Sequence, residues 1–220
     1  MSARFRVALT FDAEHPDRPT APAVAERLLD ALVRLEVPAN FFIQGRWAEA
    51  YPPLARRIVT DGHLVGSHSH YHARMPLLTD EGLAADIESA GEAIHAAAMV
   101  DPRPWFRCPF GAGMDDPRVR LAIDQAGYRH VGWNVAGEDW RPDLEPESVR
   151  DTVLAGCRRH GDGAVVLLHT WPDRMLGALD GIVTGLRADG ATFIRIDALE
   201  DPPTGGSSVD ELGMNGGAPA

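Results

Sequence analysis

The 220-residue chain contains no lysine: all 21 of its cationic side chains are arginine, set against 32 acids for a formal charge of -11. That absence removes whole chemistries. No side chain can form a Schiff base with a carbonyl substrate or pyridoxal phosphate, none can serve as a P-loop phosphate lysine, and no Ser-Lys dyad can be assembled. Cysteine is nearly as scarce. Cys108 and Cys157 alone supply neither a disulfide framework nor a CxxC metal or redox pair. No basic run interrupts the acidic balance, so neither nucleic acid nor an anionic membrane surface is expected as a partner. No apolar stretch is long enough to span a bilayer, and Met1-Ser2-Ala3-Arg4 runs directly into an apolar strand pattern without a charged-then-apolar leader. A cytoplasmic enzyme is the expectation.

What is present is ordinary globular composition, 45% hydrophobic and 24% charged, enough for one domain with a sizeable core. Seven short runs, mostly apolar on both faces, read as strands: Arg6 to Phe11, Asn40 to Ile43, His63 to Gly66, Trp105 to Cys108, His130 to Trp133, Val165 to His169 and Phe193 to Ile196. Between them, 23–35, 48–59, 81–98, 117–126, 146–159 and 174–188 carry apolar residues three and four apart and read as helices. This alternation makes the chain an α/β protein with parallel crossovers, either an open doubly wound sheet or a barrel. Residues 201–220, rich in Gly, Pro, Ser and acids, read as a flexible tail after a single domain over 1–200.

The chemically capable residues fall just past strand C-terminal ends: Asp12 and Glu14, His68 to His72, Arg107, Asp139 and His169. In parallel α/β folds that edge of the sheet is where ligands bind. His68-Ser69-His70-Tyr71-His72 is the strongest local signal. On a helix, His68 and His72 stand one turn apart and can share a divalent metal while His70 points away; in an extended segment all three histidines line one face. Asp12 and Glu14, two apart, share a face, so one carboxylate can bind the metal while the other takes a proton from water.

Thr10-Phe11-Asp12, Gly62 through His72, Arg107-Cys108-Pro109-Phe110-Gly111, Glu138-Asp139-Trp140 and Leu167-Leu168-His169 resemble, in order and spacing, the five motifs of the polysaccharide deacetylases of carbohydrate esterase family four, the NodB homology domain. The resemblance spans roughly residues 5 to 200 and implies a single-domain distorted (β/α)7 barrel of TIM-like type, which agrees with the seven strands. It implies Asp12 as general base, His68 and His72 as metal ligands, Arg107 holding the base carboxylate by a bidentate contact, and His169 as general acid oriented by Asp139.

Two positions depart from the family pattern. The family commonly has Thr-Phe-Asp-Asp-Gly with the second Asp on the metal, and here that position is Ala13; the Asp-x-Glu variant then makes Glu14 the third ligand, with His15 as a substitute. The usual first Asp of the motif before Trp140 is Ala136. Phe110, Trp140 and Tyr71 are expected at the substrate, with Trp133 and Trp171 beside them and a backbone N–H near Phe110 facing the oxyanion.

The expected activity is metal-dependent hydrolysis of an amide C–N bond, N-deacetylation of an N-acetylated amino sugar or oligosaccharide with release of acetate. Zinc is the first expectation, and the ligand set also accepts Co, Mn, Ni or Fe. Without a leader or a binding module, a small soluble substrate is expected rather than an insoluble polymer. The alternatives are a hydrolase of a non-sugar amide or cyclic imide on the same fold, a catalytically silent carbohydrate-binding protein, motivated by Ala13, and a non-haem iron oxygenase, which the βα alternation opposes.

Overall fold

The computed structural model describes residues 5–18 and 21–206. Its elements run β1 (Phe5–Ala13), α1 (Ala21–Arg34), β2 (Asn40–Ile43), α2 (Gly45–Ala50), α3 (Pro52–Thr60), β3 (Leu64–Ser67), α4 (Asp80–Ala98), β4 (Trp105–Phe106), α5 (Pro117–Gln125), β5 (Arg129–His130), β6 (Val135–Ala136), α6 (Pro146–His160), β7 (Ala164–His169), α7 (Asp173–Ala188) and β8 (Ala191–Phe193). All strand pairings are parallel, in the order β5-β4-β3-β2-β1-β7-β6 with β8 also on β1. This is the distorted TIM-like barrel expected from the motifs.

The strand read at 130–133 divides into β5 and β6, and the reason is visible at its middle. Val131 N–H donates to Phe106 O on the β4 side, whereas Asn134 and Gly137 N–H donate to Val165 O and Leu167 O on the β7 side. One bent run therefore bridges β4 and β7, and its kink at Gly132 and Trp133 is patched from outside by the carbonyls of Pro203 and Gly205. Residues 203–206, placed by sequence in a flexible tail, are thus docked on the barrel; 207–220 lie outside the described residues. The helix expected over 48–59 is likewise two, because Pro52 and Pro53 lack the N–H that a continuing helix needs and drive Tyr51 out of the helical region (φ -131°).

β1 shows how the sequence builds two layers. Its odd residues Val7, Leu9, Phe11 and Ala13 pack outward into the core shared with Leu28 and Leu32 of α1 and Leu179 and Ile182 of α7. Its even residues Ala8, Thr10 and Asp12 face the barrel interior, where Ala8 joins Phe42, Val131, Trp133, Val165 and Leu167. The inner apolar layer closes the lower barrel, and the polar residues stand above it.

Two buried histidines outside the cleft give the fold a pH dependence. The Nδ1 of His63 accepts from the Ala39 N–H at 3.2 Å, and His130 Nδ1 donates to Thr204 O at 3.1 Å. Burial pushes both imidazoles down to about 4. Unfolded, they take up protons near pH 6.5; folded, only near 4. Stability is therefore expected to be flat with respect to these groups above pH 6.5 and to fall as pH drops toward 4, by about 3 kcal/mol for each histidine. Urea midpoints measured between pH 7 and 4.5 for wild type and His63→Gln check this: the variant, which retains an acceptor for Ala39, should show a shallower decline. An unchanged slope would mean that His63 is not the group responsible.

Candidate active site

The inward face of β1 ends with Asp12, whose register partner on β7 is His169. His68 follows β3 directly, Arg107 follows β4, and Asp139 lies three residues beyond β6, so the strand ends bring these side chains to one rim. Ala13 points the other way and is fully buried in the outer core, while Glu14 emerges on the Asp12 side.

Arg107 is completely buried and organises one wall. Its Nη1 donates at 2.8 Å to Asp12 Oδ1 and at 2.8 Å to Thr10 Oγ1, Nε donates to Val131 O and Nη2 to Gly132 O, and its face lies 4.0 Å above the Phe42 ring. The contact with Asp12 is therefore a single N–H rather than the bidentate fork expected from the resemblance. The rest of the fork is occupied by carbonyls that the kink at Gly132 turns inward, which explains both the broken strand and the rigidity of the guanidinium. Asp12 keeps Oδ2 toward the cluster, 3.5 Å from His68 Nε2.

The 68–72 segment is neither helix nor strand. Positive φ at Ser69 (64°) and His72 (58°) bends it tightly. Asp86 of α4, buried, accepts the N–H groups of both His70 (3.1 Å) and Tyr71 (3.0 Å), and Ser69 Oγ accepts that of His72 (3.0 Å). The bend sends His68 and His72 inward and His70 outward against α2, where a Cβ on Gly45 would stand 2.3 Å from His70 Nδ1. Asp86 went unnoticed in the sequence; its signal is an acid on the apolar stripe Leu83, Ile87, Ala90 of α4.

Glu14, His68 and His72 bring three ligand atoms within 4.8 Å of one another. Glu14 Oε2 lies 3.4 Å from His68 Nε2 and contacts His72 Nε2, while Oε1 accepts from Trp171 Nε1 (3.1 Å) and faces His15 Nε2 (3.0 Å). Burial, the largest influence, opposes ionisation of Glu14, but the neighbouring His72, His15 and His68 outweigh it and hold the carboxyl well below the usual range. The donor set fits a divalent cation. His68 Nδ1 lies 2.9 Å from the Arg107 carbonyl, which only accepts, so Nδ1 carries the proton and the Nε2 lone pair faces the cluster.

On the opposite wall Asp139 grips His169 twice, Oδ1 at 2.8 Å from Nδ1 and Oδ2 accepting the His169 backbone N–H at 2.8 Å. Arg174 donates to the Asp139 carbonyl at 3.0 Å. Burial works against protonation of His169, yet Asp139, with Glu14 and Asp12 adding to it, raises the imidazole to about 9. Its free Nε2 is turned toward Glu14, 4.0 Å away.

Asp12, Glu14, His68, His72 and His169 line a cleft of about 220 Å³ together with His15, Arg18, Cys108, Phe110, Gly111, Trp133, Trp140, Leu167 and Trp171. Phe110 and Trp140 stand where the sequence placed substrate contacts. Tyr71 does not: it is 65% exposed, its ring edge-on to that of His70 outside the cleft, because Asp86 turns the loop at its N–H. A larger groove of about 550 Å³ between α4 and α5 holds none of these groups.

The polysaccharide deacetylase family model matches residues 2–131. A chitooligosaccharide deacetylase of Rhizobium leguminosarum bv. trifolii is 35% identical over 74% of this chain and 70% of its own length. The solved structure of a family 4 carbohydrate esterase from Streptomyces lividans in complex with acetate superposes with a TM-score of 0.76 at 29% identity, covering 87% of this chain and 93% of that one. A CE4 family pseudoenzyme from Bacillus anthracis superposes with a TM-score of 0.78 at 27% identity, covering 91% and 67%. The fold is therefore shared by a protein described as an esterase and by one described as a pseudoenzyme, so fold alone does not assign activity.

Proposed function

Because the chain belongs to the polysaccharide deacetylase family, we propose that it hydrolyses the acetamide of an N-acetylated amino sugar or oligosaccharide, releasing acetate and a free amine. One observation carries the reading: a buried carboxylate, Asp12, and a buried imidazole with its own carboxylate, His169 with Asp139, both border the Glu14, His68 and His72 cluster. A silent binding protein has no use for that arrangement.

Glu14, His68 and His72 would hold a divalent cation, zinc first, which polarises the acetamide carbonyl and makes water more acidic. Asp12, oriented by Arg107 and with Oδ2 toward the cluster, takes the proton of the attacking water. Phe110 lines the cleft, and its backbone N–H would serve the developing oxyanion. His169 delivers the proton from Nε2 to the departing nitrogen, which would otherwise leave as an unstable amide anion; its raised affinity for a proton suits that step. Trp140 and Trp171, whose rings stand 5.4 and 5.9 Å from that of His169, wall the acetyl group and keep bulk water from the imidazole. At about 220 Å³ the cleft lies below the usual range for drug-sized ligands, matching one sugar unit rather than several.

The test is acetate release from N-acetylglucosamine oligomers, acetylated small amines and cyclic imides, using metal-stripped protein and protein restored with zinc. Turnover of the oligomers only after restoration is the expected result. Exclusive turnover of the imides would move the substrate off sugars, and no turnover with metal bound would make this a binding protein.

A further inference from the structure

Glu14 reaches the cluster from one residue beyond Ala13, through a side chain with one more rotatable bond than an aspartate has. Its carboxylate therefore has to be fixed from outside to act as a defined ligand. The two oxygens have separate surroundings. Oε2 faces His68 Nε2 at 3.4 Å and contacts His72 Nε2, the two other donors of the cluster. Oε1 faces two residues outside the cluster: Trp171 Nε1 donates to it at 3.1 Å, and His15 Nε2 lies 3.0 Å away.

Both of these residues are held in turn. The Trp171 ring lies 3.8 Å beneath the Arg18 guanidinium and stands edge-on to the His15 ring at 5.8 Å. His15 sits at a positive φ of 55°, in the turn just past β1. Buried Gln44, at the end of β2, fixes that turn: its Oε1 accepts the His15 N–H at 3.1 Å, and its own N–H donates to Ala13 O at 2.9 Å. A residue with a side chain stays in the left-handed region only when its surroundings insist, so the turn that carries Glu14 is built for this placement.

We propose that Trp171 and His15 are positioning residues that hold Glu14 as a one-oxygen ligand and so keep open the coordination position that an acetamide oxygen needs. This rests on the deacetylase reading for its chemistry and deepens it. A carboxylate oxygen offers about two lone-pair sites, and the two N–H donors fill those of Oε1, which leaves Oε2 alone for the cation. Catalytic zinc sites take three protein ligands and keep the next position for water or substrate. A carboxylate that closes on the cation with both oxygens would fill that position. The same occupancy keeps Oε1 from capturing the His169 proton: Nε2 of His169 lies 4.0 Å from it, and its hydrogen stays available for the departing nitrogen.

Cobalt(II) in place of zinc reads the coordination directly, because its visible d–d absorption weakens as the coordination number rises. Cobalt-loaded wild type is compared with Trp171→Phe, which keeps a ring and loses the N–H, and with His15→Asn, which tolerates a positive φ and has a shorter side chain. Absorbance per bound cobalt is expected to fall in each variant and furthest in the double variant. With zinc, kcat/KM on N-acetylglucosamine oligomers should drop by about 10- to 100-fold, the usual cost of losing a group that orients a metal ligand. A purely packing role for the two residues would lower metal occupancy without moving the absorbance per bound cobalt, and that ratio is insensitive to the fraction of protein folded. Unchanged absorbance per cobalt in the double variant would overturn the proposal and leave the deacetylase reading standing. A wild type that binds no cobalt would overturn both. The expected spectral change in a protein that turns over no acetylated sugar would sink the deacetylase reading and uphold the holding of Glu14.

Discussion

Glu14→Ala is expected to lose tightly bound metal and, with it, turnover. Glu14 is the carboxylate of a set whose other two donors are imidazoles, and it also gathers Trp171, His15 and His72 around one point. Without it, two histidines remain for a divalent cation, and affinity should fall by well over the roughly 100-fold that loss of a mere supporting contact costs. Folding is not at stake: removing a buried carboxylate that must otherwise be compensated does not open the core. Metal content by elemental analysis after dialysis, read with acetate release, gives the answer. Retention of both would show that the ligand set lies elsewhere, with His15 the next candidate.

Asp139→Asn should lower kcat by about 10² to 10⁴, the range associated with loss of a positioned general acid. It should also move the basic limb of the pH–rate profile toward lower pH. The sign follows from the charge: Asp139 favours the imidazolium of His169, so a neutral amide lets the proton leave earlier, and burial, which Asp139 had outweighed, then pulls the imidazole below its raised position near 9. His169→Asn removes the limb altogether. The pair of profiles distinguishes a proton donor from a structural histidine, because loss of packing lowers the rate at every pH without displacing the limb. Asp12 calls for a gentler substitution. Removing its side chain leaves the buried guanidinium of Arg107 without counter-charge and without an acceptor, a cost of about 3–5 kcal/mol; Asp12→Asn also removes the charge but keeps an oxygen that can accept from Arg107 Nη1, so it is the variant that tests the base with least damage to the wall.

Much of this was legible in the residues. The strand and helix pattern predicted a parallel α/β sheet, because apolar runs on β1, β2, β3 and β7 are buried on both faces and need helices to cover them, and the family resemblance chose the barrel over the open sheet. The histidine and arginine motifs located the cleft because strand C-terminal ends converge there whatever the loops do. Three features were hidden because they depend on residues distant in the chain. Asp86 acts on His70 and Tyr71 from α4, and this turns Tyr71 away from the cleft where the sequence had placed it. Val131 and Gly132 offer their carbonyls to Arg107 only because the strand kinks, leaving a single N–H for Asp12. The 203–206 segment, polar and Gly-rich by composition, is held by backbone hydrogen bonds that composition does not report.

The missing lysine and the motif residues by themselves determined the class of chemistry: carboxylate, imidazole and guanidinium groups, with a metal-type donor set and no ammonium. The sequence already named Glu14 for that set; the tertiary structure supplies the packing that goes with it. Alternation along β1 sends Ala13 into the outer apolar layer and returns Glu14 to the side of Asp12, so the position that carries a ligand in the family pattern is closed here and the next one is open. The tertiary structure likewise separated arginines that merely balance surface acids from Arg107, buried in the wall. Sequence supplies the inventory of charges; only packing decides which are desolvated and which are paired.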